Sequence, residues 1–477
     1  MNLGGLDFDG IQRLLRQRKI TCRQVTEQFL ENINEGRKLN AFISILSERA
    51  RAKADDVDQK LRKNCAGSLA GLVIAIKDNI NIKGEITTCG SKMLAHYVSP
   101  YDATVIQRLD AADAIIIGKT NMDEFAMGSS NETSYYGAAK NPHNFACVPG
   151  GSSGGSAVAV AARMAMAALG SDTGGSVRQP ASFCGVVGLK PGYGLVSRFG
   201  LVAYASSFDQ IGPITSSIAD CAKILEVIAG HDPMDSTSAD FPVPQYFDSM
   251  QRPKHSLKIG LPVEYLGEGL NPEVRHTIAR SVELLKKAGA TIVPVHLQHT
   301  DYALSCYYIL ATAEASSNLA RYDGSHFGFR CSNPSDLDQM YSNTRTEGFG
   351  DEVKRRILLG TYVLSAGYYD AYYRNAQKVR TLIQQDFRDA FEQCDCIITP
   401  TTATTAFSIG EKINDPLTMY LSDLYTVSAN LAGIPALSLP CGFDSSNLPI
   451  GIQIMANRFD EATLFNVGSL LERLLKG

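Results

Sequence analysis

GGSSGGSAVAVAARMAMAALGSDTGGSVRQP, residues 150–180, places two serine-bearing glycine turns at either end of one short apolar segment. The middle, Ala157 to Leu169, is almost wholly Ala, Val, Met and Leu, which predicts a helix packed all round and acting as a strut between the turns. At its start, Gly150, Gly151, Gly154 and Gly155 let another group approach the backbone, and Ser152 and Ser153 can cap the helix. The second turn, Ser171 to Ser176, repeats this vocabulary, and its successive N–H groups can converge on an anion. A phosphate cradle would need Lys-Ser/Thr after the glycines, where this chain has Ser156 and Ala157. Two readings remain: punctuation around a buried helix, or a serine nucleophile with a backbone oxyanion hole, which requires a base.

None of the eight histidines falls in either turn, and the nearest, His143 in NPHNFACVPGG, belongs to a polar loop that it caps or turns. The apolar, β-branched run GLVIAIKDNI, residues 71–80, predicts a buried strand with Lys77 at its end. A partly desolvated lysine favours its neutral form and can then accept a proton. A strand-end lysine can also snorkel to water, and the run itself does not choose between the two.

Lys77 in IKDNI, Ser152 in GGSSGGS and Ser176 in GSDTGGSVRQP together resemble the Lys, cis-Ser, Ser triad of the amidase signature family. The likeness extends to TNMDEFAMGSS (120–130), CGVVGLKPGYGLVSRFG (184–200) and SFDQIGPI (207–214), and it spans the whole chain. It implies that Ser176 is the nucleophile, that Ser152, joined to Gly151 by a cis peptide, relays protons, and that Lys77 is the base. It further implies an oxyanion hole from the amides of Thr173, Gly174, Gly175 and Ser176, with Asp172, Thr173 and Arg178 supporting the loop. The implied fold is α/β, a large central mixed β-sheet covered by helices on both faces. It would form one domain over 1–477, with a signature core at about 65–215 and a substrate-pocket half at about 257–477.

Composition agrees with a globular protein: 477 residues, a net charge of −4 and 44% apolar residues. The eleven cysteines are scattered, and Cys394-Asp395-Cys396 is too closely spaced for a usual metal pair, so no metal site is expected. The first twenty residues have neither a secretory core nor an acid-free transit pattern, and no run reaches membrane-spanning length, so the cytoplasm is expected. Strand-like runs at 114–119, 257–262, 291–297 and 394–400 alternate with helix-like ones such as PEVRHTIARSVELLKKAGA. Residues 231–256, proline-rich and aperiodic, read as a domain linker or as a loop crossing one large domain, and the resemblance favours the second.

In the C-terminal half, the runs at 307–324, 347–380 and 415–440 resemble the A subunits of glutamyl-tRNA(Gln) amidotransferases. The resemblance implies a chain that hydrolyses glutamine and holds no cofactor itself. Its ammonia would pass to a partner B subunit that uses ATP and Mg on misacylated tRNA, with a small C subunit clasping the two into a heterotrimer. Free glutamine carries a carboxylate and an ammonium, so its pocket needs an oriented cation and anion. In EVKRRILLGTYVLS the stripe Val353, Arg356, Ile357, Gly360, Thr361, Leu364 puts Arg356 inward, and Gly360 clears space one turn away. Tyr420, Asp423, Leu424 and Val427 share one helical face, which lets Asp423 meet the ammonium. By spacing alone either charge could be a structural ion pair; the resemblance assigns both to glutamine, with Tyr307 and Ser129 as neighbours. The chain carries no basic stripe for RNA. The rival readings are a stand-alone amidase of small acyl or aryl amides and a noncatalytic scaffold.

Overall fold

Short β-branched runs that are apolar on both alternations bury themselves only inside a sheet covered on both sides, and the described residues collect eleven strands into one sheet. In the computed structural model, described for residues 6–250, 256–267 and 269–476, the strands are β1 (Phe42–Ile45), β2 (Val73–Lys77), β3 (Ile115–Thr120) and β4 (Ala167–Asp172). They continue with β5 (Val187–Lys190), β6 (Gln210–Thr215), β7 (Lys258–Pro262), β8 (Thr291–Val295), β9 (Cys396–Pro400), β10 (Ala436–Phe443) and β11 (Pro449–Ala456). Their order is β1-β3-β2-β4-β6-β5-β10-β11-β9-β7-β8. The sheet is mixed: β3, β2 and β4 run parallel, as do β8, β7 and β9, and the other neighbours are antiparallel. Every residue of β2, β3, β4, β6, β9 and β11 is buried, so helices cover both faces. Among the described residues no helix is long and apolar enough to cross a membrane.

The expected strands at 114–119, 257–262, 291–297 and 394–400 become β3, β7, β8 and β9, and the run beginning at Pro272 forms the helix Pro272–Lys287, capped by Asn271. His231–Met250 crosses from β6 and the helix Ile218–Ile228 towards β7, which belongs to the same sheet; residues 251–255 lie outside the described residues. Antiparallel pairing of β5 with β10, Ala436 opposite Lys190, joins the N-terminal and C-terminal strands.

One expectation fails in the opening segment. Ala157 to Leu169 is not one helix: the helix is Gly154–Ala161, the chain reverses through Arg163 at φ 55°, and Ala167 begins β4. The strand wins because β4 lies between two partners, parallel to β2 and antiparallel to β6, and an apolar run buried on all sides has no periodicity to oppose it.

Candidate active site

Lys77 ends β2 and Asp172 ends β4, and because these strands are parallel neighbours their carboxyl ends lie side by side, where open α/β sheets place their ligands. The first glycine turn and the N-terminus of the helix Gly154–Ala161 close over the same edge. Lys77 Nζ is 2.8 Å from both Ser152 Oγ and Ser153 Oγ and donates to Ser171 O at 3.2 Å. Lys77 is fully buried, and burial drives its pKa down to about 7 against the opposing pull of Asp123, Asp172 and Asp209. The Gly151-Ser152 peptide is cis. A Cβ on Gly151 would come within 2.0 Å of Asp123 Oδ2, whose carboxylate is fixed by Asn131 N at 2.8 Å and by Thr133 Oγ1 at 2.9 Å.

Ser176 is tied to this group through its carbonyl, which accepts from Ser153 N at 3.1 Å. Its hydroxyl bonds to neither Ser152 nor Lys77. Ser152 has no exposed surface and Ser176 has 9%, so Ser176 is the member a substrate can touch. In the second turn, Gly175 adopts φ 135° and its N–H is spent on Asp172 Oδ1 at 2.9 Å. This corrects the expected set of oxyanion donors: among the described residues the amides of Thr173, Gly174 and Ser176 have no hydrogen-bond partner, whereas that of Gly175 is occupied.

Beneath the turn, Asp172 and Arg178 form a fully buried ion pair at 3.0 Å. Burial alone would raise the Asp172 pKa, but Arg178 prevails and holds it well below the usual carboxylate range. Arg178 also donates to Gln453 Oε1 at 2.6 Å, to Asn430 Oδ1 at 2.5 Å and to Thr426 O at 3.0 Å. Thr173 donates to Asp209 Oδ1 at 2.6 Å. His143 lies away from this site, its Nε2 3.0 Å from Cys184 O.

Arg356 and Asp423 are both buried. The helix Asp351–Leu364 buries Val353, Arg356, Gly360 and Val363; Thr361 is exposed, so the stripe leaves the predicted line after Gly360. Gly360 does not clear space for a ligand: a Cβ there would lie 2.0 Å from Thr312 O in the helix Ala303–Asn318. Its missing side chain lets two backbones touch. Nor do Tyr420 to Val427 form one helix, because Pro416–Tyr420 passes into a 3-10 turn, Leu421–Asp423, before Val427–Ala432. Asp423 points inward from that turn, and Ser129 Oγ lies 2.9 Å from each of its oxygens. Burial raises the Asp423 pKa to about 7, with Ser129 and Tyr308 pulling it back. Tyr307 packs on the second turn instead: a Cβ on Gly174 would come within 2.6 Å of its hydroxyl.

A cavity of about 340 Å³ opens onto Ser129, Glu352, Arg356 and Tyr420; Ser176 lies outside its lining. Among the described residues no group of three or more His, Cys, Asp or Glu is placed to hold a metal. The sequence reading missed Glu352, which accepts from Arg356 Nε at 2.8 Å, and Tyr308, which donates to Asp423 Oδ2 at 3.0 Å. Glu352 had a signal, since it stands four residues before Arg356 on a helix, whereas Tyr308 had none to separate it from Tyr307. It also missed Gln179, which stitches the loops together by accepting from Gly151 N at 2.9 Å and donating to Ser129 O at 2.8 Å.

Residues 24–465 match the amidase family. The chain is 54% identical over 477 residues, 100% of its own length and 99% of the other's, to the A subunit of the glutamyl-tRNA(Gln) amidotransferase of Koribacter versatilis. It is 55% identical to the corresponding protein of Coxiella burnetii over 95% of this chain and 94% of that one. The crystal structure of the Thermotoga maritima counterpart superposes with a TM-score of 0.81 at 41% identity, covering 98% of this chain and 95% of that one. The chain belongs to the amidase signature family.

Proposed function

We propose that this chain is the glutamine-hydrolysing subunit of a tRNA-dependent amidotransferase. The observation that carries the reading is a buried cation and a buried anion on one site, Arg356 lining the cavity and Asp423 held by Ser129, which lines it too, a combination that a simple amide does not need and free glutamine does. The names of the full-length relatives support it.

The chemistry follows from the bond inventory around Lys77. Ser153 Oγ can give its hydrogen to Ser171 O at 3.1 Å, so it accepts from Lys77. A neutral Lys77 spends its two hydrogens on Ser153 and Ser171 and turns its lone pair to the Ser152 hydroxyl. Ser152 gives up its proton there and takes one from Ser176 as Ser176 Oγ attacks the side-chain amide carbonyl. The free amides of the second turn receive the developing oxyanion, and the relay returns the proton to departing ammonia. Water then resolves the glutamyl ester, leaving glutamate.

Ammonia is the useful product. It passes to the B subunit, which spends ATP and Mg to convert Glu-tRNA(Gln) to Gln-tRNA(Gln); the tRNA is met through that partner, and a C subunit completes the heterotrimer in the cytoplasm. The test is transamidation by the assembled subunits. Ser176→Ala is expected to abolish glutamine-dependent amidation while leaving the reaction driven by added ammonia intact. A chain that cleaves varied amides rapidly and ignores glutamine would be a stand-alone amidase.

A further inference from the structure

Arg356 and Asp423 do not pair with each other: among the described residues the ion pair of Arg356 is with Glu352. Tyr308, from the helix Ala303–Asn318, stands between the two charges. Its ring centroid lies 5.3 Å from the Arg356 guanidinium, and its hydroxyl donates to Asp423 Oδ2 at 3.0 Å. The same ring stacks on Tyr420, with centroids 3.9 Å and planes 22° apart. Tyr420 donates to Glu352 Oε1 at 2.9 Å, the oxygen that accepts from Arg356 Nε. A closed chain of contacts thus runs from Glu352 through Arg356 and the Tyr308 ring to Asp423, with Tyr420 bracing the middle.

The inventory of bonds shows what this chain leaves open. Arg356 spends Nε on Glu352 and Nη1 on Tyr204 at 2.8 Å, and Nη2 has no hydrogen-bond partner among the described residues. Asp423 receives hydrogens from two hydroxyls, Ser129 and Tyr308, and a carboxylate has lone pairs for more. Each charge keeps capacity for one oppositely charged group of a ligand, and the ring prevents them from satisfying each other. Aromatic contact with a guanidinium is itself favourable, so the separation is a stable arrangement.

We infer that Tyr308 is the positioning residue for substrate choice: it keeps Arg356 and Asp423 apart and aims the Asp423 carboxylate at an ammonium, so the pocket favours an amide bearing both charges of a free amino acid. The inference rests on the glutamine reading above. Asp423 binds an ammonium only when ionised, and the Tyr308 hydroxyl, with Ser129 and the Arg356 charge, opposes the upward push of burial on its pKa. Removing that hydroxyl both loosens the carboxylate and favours its protonation. A substrate without the ammonium offers Asp423 no charge to hold and is indifferent to the change.

The test compares the parent chain and Tyr308→Phe, each assembled with its partner subunits, on glutamine and on glutaramate, which lacks only the α-ammonium; glutaramate is followed as a substrate or as a competitive inhibitor. Tyr308→Phe should lower kcat/KM for glutamine about tenfold through KM, with kcat held within about twofold, and leave glutaramate within about twofold. The acid limb of kcat/KM for glutamine should also move to higher pH. Tyr308→Leu, which removes the ring as well, should show the same asymmetry with a larger fall. Equal losses on both substrates in either variant, or no loss on glutamine, overturn the assignment. A parent enzyme that treats glutaramate as well as glutamine contradicts the functional reading itself, before any variant is made.

Discussion

Two residues of opposite chemical type, Lys77 and Asp423, are both driven by burial to a pKa of about 7. In the reaction we propose their needs coincide: Lys77 must be neutral to accept a proton and Asp423 ionised to bind an ammonium, so acid disables both. Activity should therefore be full above about pH 8 and fall as pH drops through 7. Below that, kcat/KM for glutamine should approach a slope of two in pH because both groups take up protons, while kcat, set by Lys77, should approach a slope of one. A pH-rate profile on the assembled enzyme measures both slopes. Lys77→Met should cost about 100-fold to 10,000-fold in kcat at pH 8, the usual span for a lost proton-transfer group, with little change in KM. At this scale the sequence was informative wherever a side chain carries the chemistry, as at Lys77, Ser152 and Arg356. It was silent wherever a hydrogen bond has to be allocated. That Asp172 consumes the Gly175 amide, and that the neighbour of Tyr307 reaches Asp423, depend on which partner arrives first in space.

Among the elements, those with a pattern of their own were legible. The strands ending in Lys77 and Thr120 are β-branched runs bounded by turns, and Pro272–Lys287 begins with Asn-Pro and carries basic residues in its last turn. The segment between the two serine turns was not legible, because Ala, Val and Met buried all round suit a helix or a central strand equally. Helix Asp351–Leu364 illustrates the remaining difficulty: Arg356 faces inward as its spacing requires, but the reason for Gly360 is the backbone of another helix, which no local pattern reports. Gly360→Ala should force the two helices apart, destabilising the protein by about 1–3 kcal/mol. Since Arg356 lies one turn away, the same variant should raise KM for glutamine more than it lowers kcat. Denaturant unfolding and steady-state kinetics on one preparation separate the two effects.

Across the whole molecule, the signature strands and the C-terminal strands share one sheet at β5 and β10, and Arg178 ties the same halves together beneath the second glycine turn. We propose on this ground that the chain forms one domain. Asp172→Ala would strand the Arg178 charge in a dry interior, at a cost of about 3–5 kcal/mol, and would release the Gly175 amide; its thermal unfolding midpoint should fall accordingly. Reading the sheet order from sequence was out of reach, since β5 and β10 are separated by more than half the chain and only pairing reveals their register. The central claim is that Ser176 carries the glutamyl group. Acid quenching of the assembled enzyme during turnover of radiolabelled glutamine, followed by peptide mapping, tests it directly. Label on the peptide containing Ser176, absent from Ser176→Ala, is the result expected; label on another residue, or Ser176→Ala that still hydrolyses glutamine at the parent rate, would contradict the account.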